Sequence, residues 1–212
     1  MNEQQIKTWH EVLQAGEVLA VDVMSGIAIA EAQGTEKEAR ARLIFPGAFN
    51  PLHNGHRAMA DVAAELSGGE VEFEISIANV DKAALTESDI RGRLQQFPPT
   101  QTVWLTRAER FTQKAEIFPD SMFIVGVDTI ARVADVRYYD DEYSPASAIE
   151  TVATHGCRFM VFGRCIDDEF LTLGSIEIPK RLRQLCIEVP ATRFRNDVSS
   201  TELRIAGGDR GD

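Results

Sequence analysis

Short apolar runs alternate with segments of helical periodicity along most of this 212-residue chain. The first pair joins a predicted strand at 42–45 to a helix that begins near Asn54 and continues to Leu66. Further strands are predicted at 71–77, 101–106, 122–125, 157–162 and 185–189, and further helices at 87–97, 108–118, 146–154 and from about 200 onward. Strands that alternate with helices over short loops build parallel sheets. The sequence therefore predicts an α/β protein with a doubly wound parallel sheet and helices on both faces.

The segment 1–40 precedes this alternation. Its apolar residues between Ile6 and Leu19 recur at roughly helical spacing, whereas the small-residue run 24–30 has no clear period. We expect a helical N-terminal appendage over 1–40, followed by the main domain over 41–212. The stripe around Trp9 would pack either on this domain or on a second copy of the chain, which leaves a homo-oligomer open.

The chain is acidic, because 33 Asp and Glu residues stand against 22 Lys and Arg residues and give a net charge of −11. This charge opposes a broad nucleic-acid surface and binding to an anionic membrane. No stretch has the length and apolar character of a membrane span, and the polar first residues lack the pattern of a signal peptide. We expect a cytoplasmic protein whose partners are small molecules, with neither nucleic acid nor membrane among them.

The turn between the first predicted strand of the main domain and its helix carries two histidines three residues apart, His53 and His56, within the decapeptide Gly47–His56. A helix N-terminus has unpaired backbone N–H groups and a favourable dipole, so it is a site for an anion. Gly47 and Gly55 would let the backbone approach that anion. The alternative for each histidine is a solvated or core imidazole.

A second helix start lies near the C-terminus, at Val198–Arg204. Ser199 and Glu202 have capping-box spacing, which by itself indicates only the beginning of a helix. The hydroxyl of Thr201 and the guanidinium of Arg204 share one helix face, and together they would hold phosphate oxygens.

Two more polar groups directly follow predicted strands. Asp128 comes after the strand 122–125, where it would either cap the next helix or accept hydrogen bonds from a ribose. Lys82 lies just beyond the strand 71–77, where a lone lysine is usually solvent-exposed. Ligands of doubly wound sheets bind at the carboxyl ends of the strands, so these residues are candidates for one site.

These groups suit nucleotidyl transfer, which needs a held triphosphate, an aligned acceptor and neutralisation of the charge that develops. Two imidazoles, two helix N-termini, a lysine and an arginine would supply positive or donor groups. Mg²⁺ bound with ATP would bridge the leaving pyrophosphate. No metal site made by the protein itself is predicted.

The motifs also resemble a known family. Seven positions of the decapeptide resemble the signature of the "HIGH"-motif nucleotidylyltransferase superfamily: Gly47, Phe49, Asn50, Pro51, His53, Gly55 and His56. Val198–Arg204 resembles the second signature of that superfamily, with Val198 in place of an isoleucine. The runs 126–129 and 79–82 resemble those of nicotinamide and nicotinate mononucleotide adenylyltransferases. The resemblance covers about 42–206 and implies a Rossmann-like, cytidylyltransferase-like fold.

The resemblance implies transfer of AMP from ATP to a phosphorylated acceptor, with release of pyrophosphate. The implied acceptor is a pyridine mononucleotide, as in NAD biosynthesis. The catalytic residues implied are His53, His56, Lys82 and Arg204. The nucleotide-binding residues implied are Gly47, Ala48, Phe49, Asn50, Gly55, Gly126, Asp128, Ser199, Ser200 and Thr201.

The acceptor is the weakest part of the match. This chain has Arg110-Phe-Thr112 where the nicotinate enzymes carry Ser-Tyr-Thr, and it has Tyr138 and Tyr139 near the place of a stacking tryptophan. We expect Thr112, Tyr138 and Tyr139 to contact the acceptor, and the loop 135–147 to set specificity. Phosphopantetheine, the acceptors of cytidylyltransferases, and a nucleotide-binding module without turnover stay open as alternatives.

Overall fold

The computed structural model describes residues 19–22, 28–29, 42–78, 84–139 and 144–195. The strands are β1 Leu19–Asp22, β2 Ala28–Ile29, β3 Leu43–Pro46, β4 Val71–Ser76, β5 Thr102–Thr106, β6 Met122–Gly126, β7 Arg158–Phe162, β8 Arg164–Ile166, β9 Glu169–Leu171 and β10 Cys186–Val189. The helices are α1 Asn54–Ser67, α2 Glu87–Leu94, α3 Phe111–Ile117, α4 Val127–Ala134, α5 Pro145–Thr154 and α6 Lys180–Leu185, with 3₁₀ turns at Val136–Tyr138 and Leu173–Ser175.

Eight strands form one sheet in the order β10-β7-β6-β3-β4-β5-β1-β2. The six strands from β10 to β5 run parallel, whereas β1 pairs antiparallel with β5 and β2 pairs antiparallel with β1. Counted along the chain, the parallel strands have the order 6-5-4-1-2-3 of a doubly wound fold. The order reverses between β3 and β6, so the crevice at the carboxyl ends of these two strands is the expected ligand site.

Both faces of the sheet are covered. Within β3, Leu43 and Phe45 belong to one hydrophobic core and Ile44 belongs to the other. Successive strand residues point to opposite faces, so a strand that is buried on both sides needs a continuous apolar run, and Leu-Ile-Phe provides it. The predicted α/β fold with a Rossmann-like parallel sheet is confirmed, and within the described part of the chain no helix is long and apolar enough to cross a membrane.

The prediction of a helical N-terminal appendage is wrong where the structure describes that segment. Leu19–Asp22 and Ala28–Ile29 are strands that extend the sheet beyond β5. The helical spacing around Leu19 was outweighed by backbone hydrogen bonding to an open sheet edge, which local periodicity does not register. The other residues of 1–40, Trp9 included, lie outside the described residues, and so does the helix predicted from about 200.

Candidate active site

Three chain segments meet at the carboxyl ends of the neighbouring strands β3, β6 and β7. The turn 47–53 leads from β3 into α1, Asp128 lies in the first turn of α4 directly after β6, and Arg164 follows β7. Neighbouring strands lie about 4.8 Å apart, so the ends of β3 and β7 are about 10 Å from each other. Strand order therefore brings together groups that are far apart in the sequence.

The two histidines cap helix α1. The Nδ1 atom of His53 accepts a hydrogen bond from the N–H of Gly55 at 3.1 Å, and the Nδ1 atom of His56 accepts one from the N–H of His53 at 3.3 Å. This is the reciprocal arrangement of a capping box, built here from two imidazoles instead of a hydroxyl and a carboxylate. The spacing of three residues is what places each ring beside the backbone N–H that it accepts from.

Both imidazoles are held neutral. Burial first, and then the charge of Arg164, lower the pKa of His53 below its usual 6.5. Burial, the neighbouring His53 and then Arg164 lower the pKa of His56 to about 3. Because each Nδ1 accepts a hydrogen bond, the proton of each neutral ring is on Nε2. The rings stack with their centroids 3.7 Å apart and their planes at 23°, so the pair offers N–H donors and no positive charge.

Of the two alternatives given above, positive groups or donor groups, the structure favours donors. The N–H of Gly55 donates to His53, and Gly55 itself is buried, so this backbone N–H is not open to an anion. The donors at the start of α1 are therefore the imidazole N–H groups, because the N–H of Gly55 is already hydrogen-bonded to His53.

The aromatic ring of Phe49 supports His56 from the core side. Its ring is buried, and it packs edge-on against His56 with centroids 5.1 Å apart and against Phe73 and Phe97 at 5.2 and 5.6 Å. Its backbone adopts φ +45°, in the left-handed region that costs a non-glycine residue about 1–3 kcal/mol. A Cβ atom at Gly47 would lie 2.6 Å from the Phe49 ring. Gly47 is therefore needed to make room for Phe49, and Phe49 supports His56 from within the core.

Residues in and just after helix α2 hold the turn 47–53 by hydrogen bonds. Gln96, just after α2, donates to the carbonyl oxygen of Phe49 at 3.1 Å and accepts from the N–H of Leu52 at 2.7 Å. Arg93 donates to the carbonyl oxygen of Ala48 at 2.8 Å. Arg91 instead forms an ion pair with Glu87 on its own helix. Gln96 was not predicted as a site residue, because its contacts span more than forty residues of sequence.

Asp128 is held by one hydrogen bond and lies close over the backbone of Gly126. Its Oδ2 accepts a hydrogen bond from Nη1 of Arg164 at 2.9 Å, and its Oδ1 lies where a Cβ atom at Gly126 would be only 2.5 Å away. The backbone of Gly126 is extended, so the glycine is required for space and not for its φ angle. The Gly-x-Asp spacing therefore aims the carboxylate over the end of β6. Arg164, which the sequence patterns missed, completes the group.

A cavity of about 350 Å³ lies beside the histidine turn, also at the carboxyl ends of the strands. Of the predicted residues it is lined by Gly47, Ala48, Asn50, Tyr138 and Tyr139. The arginines on its wall are Arg93, Arg110 and Arg132. With Lys114, and against Glu74 and Glu109 on the same wall, they leave an excess of two positive charges on a chain of net charge −11.

Two tyrosines of the predicted specificity loop 135–147, Tyr138 and Tyr139, line this cavity. The guanidinium of Arg132 lies 6.0 Å from the centre of the Tyr138 ring, and the hydroxyl of Tyr139 donates to the carbonyl oxygen of Val133 at 2.9 Å. Thr112 does not line the cavity. It is buried in the first turn of α3, and its neighbours Arg110 and Phe111 take the wall positions.

The cavity also reaches a buried ion pair, Glu74 of β4 and Lys114 of α3. The ammonium of Lys114 donates to both carboxylate oxygens of Glu74 at 2.8 Å and to the carbonyl oxygen of Ala108 at 2.7 Å. The hydroxyl of Thr106 donates to the same carboxylate. The side chain of Lys114 is only 7% exposed, and that of Glu74 only 1%. This network joins the sheet to the turn that carries Arg110.

The structure thus brings together part of the predicted site. The histidine turn, Gly126 and Asp128 converge at the switch point, with Tyr138 and Tyr139 beside the adjoining cavity. Outside the described residues lie Lys82, Ser199, Ser200, Thr201 and Arg204. Within the described ranges no group of three or more His, Cys, Asp or Glu side chains is placed to hold a metal ion.

A parallel sheet with this strand order, whose switch point carries a histidine-capped helix and an aspartate, defines an α/β protein of the Rossmann-like class. The model of the cytidylyltransferase-like family matches residues 44–206, and the chain belongs to that family. The resemblance to the nucleotidylyltransferase superfamily is thereby confirmed, and family membership indicates a nucleotidyltransferase. Among curated proteins, none matches the chain.

Proposed function

We propose that this protein transfers AMP from ATP to a phosphorylated small molecule, most closely nicotinamide or nicotinate mononucleotide. An oxygen of the acceptor phosphate attacks the α-phosphorus of ATP, the bond between the α-phosphorus and the bridging oxygen breaks, and pyrophosphate leaves. The reaction needs alignment and charge stabilisation and no protein nucleophile. The observation that carries the proposal is the stacked pair of neutral imidazoles at the switch point, next to an arginine-lined cavity.

The two imidazoles have the donor chemistry for this step. Each carries its proton on Nε2, so His53 and His56 can donate to phosphate oxygens without a change of protonation. His56 is the more buried ring and is fixed by Phe49, so it is the better candidate for a contact that strengthens in the transition state. Asp128 would accept hydrogen bonds from the nucleotide ribose. Lys82, Thr201 and Arg204 are proposed for the β- and γ-phosphates from the sequence motifs alone.

Mg²⁺ belongs to the proposal as part of the ATP complex. It keeps several waters and takes only one or two carboxylates besides substrate phosphates, so it would be held chiefly by the ATP phosphates. When bound, the ion neutralises charge on the departing pyrophosphate.

The cavity supports a phosphorylated acceptor with a flat ring. Arg93 and Arg110 are half-buried cations suited to an anion, and Arg93 lies against the histidine turn, where an acceptor phosphate would meet ATP. Tyr138 and Tyr139 offer aromatic surface on the same cavity. Aromatic surface together with arginine favours a pyridine mononucleotide over phosphopantetheine, whose chain carries no ring.

The test is pyrophosphate release from ATP or CTP with Mg²⁺, measured over a panel of nicotinate mononucleotide, nicotinamide mononucleotide, phosphopantetheine, glycerol phosphate and choline phosphate. We expect release with ATP and a pyridine mononucleotide, and a fall in kcat of about 10²- to 10³-fold in His56→Ala, as for the loss of a transition-state donor. ATP binding without release for any acceptor would instead identify a binding module. Release with CTP and another acceptor would replace the proposed substrates.

A further inference from the structure

Among the described side chains beside the two histidines and Asp128, one residue supplies the positive charge that a bound triphosphate needs, whereas Arg93 lines the adjoining cavity. A bound triphosphate carries several negative charges, and more negative charge moves onto its leaving portion during transfer. His53 and His56 are neutral donors and Asp128 is an anion. Of the four side chains at this edge, Arg164 alone has a permanent positive charge.

We infer that Arg164 is a phosphate-binding residue of this centre, which contacts the triphosphate of the bound nucleotide while Asp128 holds it in position. The inference rests on the proposed function for the identity of the nucleotide, but it concerns binding and does not need turnover. Arg164 would add to the candidate site a residue that belongs neither to the histidine motif nor to the C-terminal motif.

The geometry of the Asp128 pair supports this role. One guanidinium nitrogen of Arg164, Nη1, donates to Asp128 at 2.9 Å, and the side chains are 35% and 23% exposed for Arg164 and Asp128. Within the described part of the chain, this is the hydrogen bond that the guanidinium makes, so the N–H groups of Nε and Nη2 are left for a ligand. A planar guanidinium can bond a carboxylate on one edge and a phosphate on another, which a lysine cannot do with the same rigidity.

The chain around Arg164 also fixes its direction. Gly163 precedes it at the end of β7, and a Cβ atom there would lie 2.6 Å from the ring of Phe170 and 3.0 Å from the carbonyl oxygen of Leu171. Arg164 then begins the β8–β9 hairpin, in which it pairs with Leu171. Because the hairpin packs closely against Gly163, the backbone of Arg164 is held in place, and its side chain reaches Asp128 from there. Its charge reaches the histidines, since it contributes to the lowered pKa of both rings.

The experiment compares Arg164→Gln with Arg181→Gln as a matched control. Arg181 also pairs with a carboxylate, Glu150, but it does so on the helical surface between α6 and α5. The dissociation constants of ATP with Mg²⁺ and of inorganic tripolyphosphate are measured by calorimetry for each protein. Tripolyphosphate has no ribose and no base, so it reports the phosphate contacts alone.

Arg164→Gln should weaken both ligands by roughly 10- to 100-fold, the range for loss of a charged hydrogen-bond partner, while Arg181→Gln leaves both unchanged. A variant that loses ATP but keeps its affinity for tripolyphosphate would overturn the inference, because Arg164 would then act only by orienting Asp128. Arg164→Lys keeps a cation opposite Asp128 and serves if the glutamine variant does not fold. It should weaken tripolyphosphate several-fold, and unchanged binding in it would equally overturn the inference.

An independent readout is the titration of the histidines by NMR. Removing the charge of Arg164 should raise the pKa of His53 and His56, which a role confined to packing would not do. Failure of the proposed function looks different, because it would appear as no pyrophosphate release by the parent protein while the effect of Arg164 on phosphate binding persists.

Discussion

Replacing Lys114 by methionine should destabilise the protein more than any change to its surface ion pairs. Lys114→Met removes three hydrogen bonds of 2.7–2.8 Å and leaves the carboxylate of Glu74, which is 1% exposed, with the Thr106 hydroxyl as its remaining donor in this network. Breaking a buried pair by removing one partner costs about 3–5 kcal/mol. For a chain of this size that corresponds to a fall in Tm of roughly 6–20 °C.

Urea unfolding followed by circular dichroism measures this loss, with Arg181→Met as the control for an exposed pair. The control should lose less than about 1 kcal/mol, because exposed pairs are screened by water. The double variant Glu74→Gln with Lys114→Met removes the stranded charge and keeps an acceptor for Thr106, so it should recover at least half of the loss. If Lys114→Met loses no more stability than Arg181→Met, the pair is not the desolvated ion pair described above and the reasoning fails.

Three further predictions concern the site itself. The pKa of His56 is lowered from 6.5 to about 3, so the unfolded chain binds the proton first as the pH falls, and the free energy of unfolding should drop between pH 6.5 and 3. His56→Gln should flatten this slope by at most about 1.4 kcal/mol per pH unit, measured by unfolding at several pH values. Gly126→Ala places a Cβ atom 2.5 Å from Oδ1 of Asp128 and should displace the carboxylate. We expect the KM for ATP to rise about tenfold, and unchanged ATP kinetics would show that Asp128 makes no nucleotide contact. Tyr139→Phe loses the hydrogen bond to Val133 and should raise the acceptor KM about two- to tenfold with the ATP KM unchanged, whereas equal changes in both would place Tyr139 outside the acceptor site.

The parts of this site that sequence predicts are those coded by local spacing. His53 and His56 are three apart because a capping box requires it, and Gly126 is two before Asp128 because the carboxylate needs the space. Alternation of strands and helices then gives a parallel sheet, whose carboxyl ends gather such turns at one edge. Local pattern and topology together were therefore enough to bring these turns to one edge, although the roles of the residues stay predictions.

The residues that sequence missed act across long separations. The strand 71–76 alternates polar and apolar residues, which normally indicates one solvated face, yet Glu74 is fully buried because Lys114, forty residues later, neutralises it. Lys114 itself has the sequence appearance of an exposed helix lysine. Arg164 lies thirty-six residues from Asp128, and no local spacing connects the two. Their pairing follows only from strand order and three-dimensional packing.

The two short strands β1 and β2 have a consequence for where this domain can be cut. They pair along β5, whose central residues Val103, Trp104 and Leu105 are apolar and buried. A chain begun at residue 41 would keep the whole histidine turn but would expose the N–H and C=O groups of β5 along an open, apolar edge. Such an edge is a template for strand addition by another molecule. Strand β1 covers this edge of β5, so a protein shortened to begin at residue 41 should self-associate even though its six parallel strands are complete.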